Sequence, residues 1–221
     1  MKYPRTMHLS FSPEIHSDDK VCGMDDVQYL IDNDIDIVIS EKLDGGNCSL
    51  NYRGVFARSH SQETSCPTFN YIKNVHYYPN IELFNNSKLT ISGENMYGIH
   101  SIVYSNLKDY FYVFNILNEV TNTYFSVADM ENLVEKINML KVPILYRGKI
   151  ESLEWLEHFL ASEIKKPSDL GGEKEGFVVR VNSSFHRDDF YKSVFKYVRK
   201  GHVATPDIHW SRNWVKATLN K

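Results

Sequence analysis

Glu41-Lys42-Leu43-Asp44-Gly45-Gly46-Asn47 is the stretch on which the fold turns. An alternating run at 35–39 precedes it and a second strand signal at 48–52 follows, so a tight turn at the mouth of a sheet carries a lysine, an aspartate and an asparagine. Lys-x-Asp-Gly by itself arises by chance in about one chain in twenty of this length, so its surroundings must decide its meaning. Residues 48–52 and 55–59 flank Arg53-Gly54 as a hairpin, and residues 69–84 read as a helix leading into a strand at 88–94. Residues 110–117 are an aromatic run read as a buried strand, with 121–126 as its edge partner. Two amphipathic helices follow: 127–140, with Ser126 as N-cap and Leu133, Ile137 and Leu140 at helical spacing, and 151–164, built on Leu153, Leu156, Leu160 and Ile164. Strands at 175–181 and 192–198 close the series. Upstream, residues 1–34 are rich in turn formers around one short helix at 24–33. The pattern predicts an α+β domain of twisted antiparallel sheets with helices packed outside.

Composition agrees with one large domain. The chain has 221 residues, 42% of them hydrophobic and 24% charged, with 7 Pro and 11 Gly, which excludes disordered, collagen-like and low-complexity classes. Three scattered cysteines, Cys22, Cys48 and Cys66, define neither a disulfide framework nor a metal site and suit a reducing cytoplasm. No 18-residue apolar run exists, so no membrane span is expected. Net charge is −3, unevenly spread: residues 181–221 hold eight Lys/Arg against three Asp (+5), and residues 1–180 hold 17 against 25 acidic residues (−8). The basic end interleaves Phe185, Phe190, Tyr191, Phe195, Tyr197, Trp210 and Trp214, a mixture suited to gripping phosphates and stacking bases, although some of these rings must be core. Nine histidines show no zinc-ligand spacing; His100, His202 and His209 read as surface residues or residues supporting the site, with a weak claim on phosphate.

Further motifs follow Lys42 in order. They are Ala57-Arg58-Ser59, Ser92-Gly93-Glu94-Asn95-Met96-Tyr97-Gly98, Tyr112-Val113-Phe114-Asn115-Ile116, Glu175-Gly176-Phe177-Val178-Val179-Arg180 and Ser193-Val194-Phe195-Lys196-Tyr197-Val198-Arg199-Lys200. This series resembles the motifs of the covalent lysine nucleotidyltransferases, the ATP-dependent polynucleotide ligases and mRNA capping enzymes. With Lys2-Tyr3-Pro4-Arg5-Thr6 at the start and His202-Val203 running to His209-Trp210 near the end, it is similar to the RNA ligase family, small phage-type members in particular. The likeness covers nearly the whole chain.

That resemblance implies a nucleotidyltransferase domain at 35–200, an N-terminal arm at 1–34 and a short basic tail at 201–221 packed on the same domain, with no OB-fold. It implies ATP and Mg²⁺ (or Mn²⁺) as cofactors, RNA with 5′-phosphate and 3′-hydroxyl ends as partner, no membrane, and a monomer. Lys42 is the expected nucleophile, with Lys196 as a second catalytic cation. Glu94 is expected on the ribose, Asp44 and Glu175 on the metal, Asn47 and Arg58 on phosphate, Phe114 stacked on adenine, and Glu41 at the adenine edge. Gly45 lies in the nucleotide-binding turn. A lysine of pKa near 10.4 is neutral in about one molecule in 2,500 at pH 7, so Lys196 and a metal are expected to lower the Lys42 pKa.

Two departures from the family pattern stand out. Asn115 occupies a position where many members have Asp, and the last motif, often Lys-x-Lys, offers Val198 and then Arg199 or Lys200 for its second cation. Alternative acceptors, as in GTP-dependent capping or AMP transfer to protein, and a non-catalytic RNA-end binder remain open at this point.

Overall fold

In the computed structural model, which describes residues 3–58, 62–202 and 214–220, two mainly antiparallel sheets enclose a cavity lined from both sides. The first has the order Met7–His8, Val194–Val198, Gly176–Val181, Ile37–Lys42, Ile144–Gly148. Its one parallel pair joins Met7–His8 to Val194–Val198. The second runs Phe185–His186, Thr123–Tyr124, Phe111–Asn118, Leu89–Asn95, Gly46–Asn51, Gly54–Ala57, with Leu140–Lys141 parallel to Phe111–Asn118. Leu43, Asp44 and Gly45 alone connect the strand ending at Lys42 to the strand starting at Gly46, so the opening motif is the crossover between sheets.

Apolar alternation explains the layering. Ile37, Ile39, Phe177, Val179 and Phe195 bury one face of the first sheet under the helices Met24–Asp32 and Leu153–Glu163. Cys48, Leu50, Ile91, Val113 and Ile116 do the same for the second sheet, beneath Ile81–Ser87 and Val127–Lys136. Ser126 Oγ accepts the Asp129 N–H at 3.1 Å, the expected N-cap.

Several boundaries differ from the sequence reading, each for a local reason. The 127–140 helix stops at Lys136 because Asn138 turns left-handed at φ 52°, leaving Leu140 in a strand; Val127, Met130 and Val134 form its buried face. Residues 69–84 break into short helical turns before Ile81–Ser87, with Pro79 lacking the N–H a continuous helix needs. The hairpin turns at Tyr52-Arg53, because Asn51 pairs with Gly54, which takes a φ of 130°. Ile144–Gly148 went unrecognised: half-buried and interrupted by the charged Arg147, it lacks alternation.

Candidate active site

Two glycines fix the backbone around the lysine. A Cβ on Gly45 would lie 2.7 Å from the Asn95 carbonyl oxygen, and one on Gly176 1.9 Å from that of Tyr197. Only a bare backbone lets the crossover and the Gly176–Val181 strand close this tightly. In that register Gly176 sits opposite Lys42, which delivers the preceding Glu175 to the lysine, and Val178 sits opposite Lys196.

Lys42 Nζ donates to Glu175 Oε1 at 2.5 Å. Burial pulls the ammonium down, but the carboxylates of Glu175, Glu94 and Asp44 outweigh it, so Lys42 titrates above its ordinary value. Burial also pushes the Glu94 carboxyl up to about 8; Lys42 opposes that shift, while Glu175 and Asp44 add to it.

Asp44 is held rigidly. Its Oδ2 accepts from Ser101 N–H (2.8 Å), Ser101 Oγ–H (2.6 Å) and Ile102 N–H (2.7 Å). Burial works against these donors, which nonetheless keep the carboxyl below its ordinary range. Its other oxygen faces His202 Nε2 at 3.7 Å, and the same nitrogen lies 3.4 Å from Glu175 Oε1. His202 is 6% exposed, so it is a buried member of the site and not a surface residue. Asp44, Glu175 and His202 present ligand atoms within 4.8 Å of one another, and Glu175 Oε2 is buried without a hydrogen-bond partner among the described residues. An orphaned carboxylate oxygen beside a second carboxylate fits a hard divalent cation that keeps several waters.

The cavity, about 280 Å³, is lined by Glu41, Lys42, Gly45, Asn47, Arg58, Glu94, Phe114 and Lys196, among others. Asn47 stands opposite Glu94 across the Gly46–Asn51 and Leu89–Asn95 pair. Phe114 owes its position to a bulge: Ser92 pairs with Asn115 and Gly93 with Val113, so Phe114 is the extra residue and its half-buried ring lines the cavity. Glu41 is buried, accepting from Ser168 Oγ at 2.8 Å, while its N–H donates to the Pro143 carbonyl at 2.9 Å. Lys196 Nζ lies 3.3 Å from Asp19 Oδ1. Burial lowers its pKa, Lys42 and Arg58 add to that, and Asp19 opposes. Lys200 is exposed beyond the strand end and does not line the cavity; Arg199 turns to Glu173 at 2.8 Å. Ser59, Val203, His209 and Trp210 lie outside the described residues.

Sequence reasoning missed two participants. Asp19 belongs to no recognisable motif, and only folding brings it in. The second is Arg180, 5% exposed, whose Nη1 donates to Asn115 Oδ1 at 3.0 Å; Asn115 Nδ2 donates to the Tyr3 hydroxyl at 3.2 Å. Asn115 thus joins a buried arginine to the arm, accepting from the guanidinium and donating to the Tyr3 hydroxyl.

A lysine ringed by carboxylates, at the crossover between two sheets that wall a nucleotide-sized cavity, defines a nucleotidyltransferase domain of the ligase type. The sequence profile of the RNA ligase family matches residues 35–198, and the chain belongs to that family. Three solved structures of Naegleria gruberi RNA ligase share the fold. A mutant with ATP and manganese superposes with a TM-score of 0.62 at 17% identity, covering 91% of this chain and 61% of that one. A second mutant with ATP and manganese gives 0.60 at 20% identity, covering 85% and 57%. The pyrophosphate complex gives 0.60 at 17% identity, covering 90% and 61%. The chain therefore spans about three fifths of the length of these solved chains. No curated protein matches it.

Proposed function

We propose that the protein is an ATP-dependent RNA ligase joining 5′-phosphate and 3′-hydroxyl ends, serving RNA repair in the cytoplasm as a monomer. Residues 35–200 form its catalytic domain, 1–34 its arm and 201–221 its tail, of which 203–213 and 221 lie outside the described residues. The observation that carries this reading is Lys42, hydrogen-bonded to Glu175 at the wall of the cavity and surrounded by the carboxylates a metal-assisted phosphoryl transfer requires.

In the first step the Lys42 Nζ lone pair attacks the α-phosphorus of ATP. A nitrogen–phosphorus bond forms, the bond to the bridging oxygen breaks, pyrophosphate leaves with that electron pair, and the amine releases its proton. The AMP then passes to an RNA 5′-phosphate and frees Lys42, and a 3′-hydroxyl attacks the activated phosphate to release AMP. Asp44 and Glu175 would hold Mg²⁺ or Mn²⁺, which supplies charge neutralisation at the transferring phosphate. Lys42 must leave Glu175 to attack, and loss of that counterion favours the neutral amine. Phe114 offers a face for the adenine, Glu94 reaches the ribose, and Asn47, Arg58 and Lys196 bind phosphate. Gly45 allows the close backbone approach, and Glu41 borders the base. Lys200 contributes only if nucleotide binding draws it inward.

Incubation with α-labelled ATP and Mg²⁺, wild type beside Lys42→Ala, tests the reading. Labelled wild type and unlabelled variant are expected, followed by label transfer to 5′-phosphorylated RNA. Labelling from GTP and not ATP would redirect the reading toward capping, and labelling of Lys42→Ala would overturn it.

A further inference from the structure

The nucleotide cavity shares Tyr3, Pro4 and Arg58 with a wider depression of about 650 Å³. Arg5 from the arm and Arg187, Asp188 and Tyr191 from the segment before the Val194–Val198 strand complete its walls. The structure sorts the aromatics of the basic C-terminal stretch. Phe185, Phe190, Phe195 and Tyr197 are buried in the core, whereas Tyr191 is 41% exposed. Its ring is braced edge-on by Phe190 at 5.9 Å, and Lys20 Nζ stands 5.2 Å from its centroid. Arg5 and Arg58 are exposed, and Arg5 donates to the Asp18 carbonyl oxygen at 2.6 Å and to its carboxylate at 3.1 Å, the latter an exposed ion pair. Three arginines and an exposed, braced ring therefore line a depression that shares Arg58 with the cavity, against the one carboxylate Asp188, with Lys20 beside the ring and Asp18 beside Arg5.

We propose that this depression seats a single-stranded RNA segment bearing the 5′-phosphate. The terminal phosphate lies at Arg58, within reach of the nucleotide cavity; the following phosphates track Arg5 and Arg187, and one base stacks on Tyr191. A single strand is the fitting partner because a paired duplex hides the base faces that an aromatic ring needs. The inference rests on the ligase reading and extends it to the surface that holds the strand being activated.

Anisotropy of a short, labelled, 5′-phosphorylated single-stranded RNA, titrated with the full chain, tests it beside self-labelling from ATP. Tyr191→Ala is expected to weaken RNA binding about tenfold, the loss of one stacked base. Arg187→Ala is expected to weaken it and to make the log–log salt dependence shallower by about 0.7, one phosphate contact on a single strand. Arg5→Ala should act in the same direction. All three variants should label themselves from ATP as the wild type does, which also reports that they are folded. Unchanged RNA affinity in Tyr191→Ala and Arg187→Ala overturns the proposal. So does a raised KM for ATP in the arginine variants, which would assign the depression to the triphosphate. Wild type that binds RNA through these residues yet never labels itself would support the groove and defeat the ligase reading.

Discussion

Lys42 and Lys196 reach one cavity from the same sheet, separated only by the Gly176–Val181 strand, yet they titrate in opposite directions. Burial penalises both ammonium groups. Lys42 meets three carboxylates, Glu175, Glu94 and Asp44, and ends above its ordinary pKa. Lys196 meets one, Asp19, with Lys42 and Arg58 set against it, and ends below. The difference teaches that, with burial lowering both, the carboxylates gathered around each ammonium decide whether it ends above or below its ordinary pKa. A group held this way is poised to respond when a cation neutralises its carboxylates, whereas Lys196 depends on a single ion pair supplied by the arm.

The largest expected effect breaks the comparison outright. Lys42→Ala should lower ATP labelling by on the order of 10³-fold or more, the loss of a nucleophile, and radiolabel incorporation measures it. Glu175→Gln comes next: the Lys42 pKa should fall, read by ¹³C NMR of reductively methylated lysines. Labelling should also drop by about 10- to 100-fold because the metal loses an oxygen donor. An unmoved Lys42 titration would refute the ranking of its partners. Asp19→Asn should lower the Lys196 pKa further and slow labelling by about tenfold, while leaving Lys42 where it is. If both lysines move together, the two surroundings are not independent.

The last prediction is read on stability and concerns Glu94. Its carboxyl sits at about 8 in the fold against 4.5 as an ordinary glutamate, burial being the main cause and Glu175 and Asp44 secondary. Across that window the folded state holds a proton the unfolded chain releases. This contribution therefore stabilises fully below about pH 4.5 and is lost as pH rises through about 8. Glu94→Gln should flatten that part of the Tm-against-pH curve, and a curve parallel to wild type would contradict the shift.

Much of the site was legible because strand-end motifs carry it locally. Lys42, Asp44, Glu94 and Glu175 sit at the ends of strands whose apolar alternation is plain, and Ser126 marks a helix start by its own chemistry. Phe114 was readable only as an aromatic in an aromatic run; the bulge opposite Ser92 and Gly93 that aims it into the cavity arises from pairing with another strand. His202, at the end of the last motif, offered no ligand spacing and read equally as a surface residue or a support for the site, and Asp19 lay in a turn-rich arm with no periodic or motif signal.

The sequence by itself determined the sheet-and-helix plan, the order of the chemistry-bearing segments and the glycines that let them close, because periodicity and steric bulk act over a few residues. Only the tertiary structure decided the electrostatic state of each lysine. Lys42 finds Glu175 133 positions away, and Lys196 finds Asp19 177 positions away. A charge responds to what lies within a few ångströms, whatever the distance along the chain.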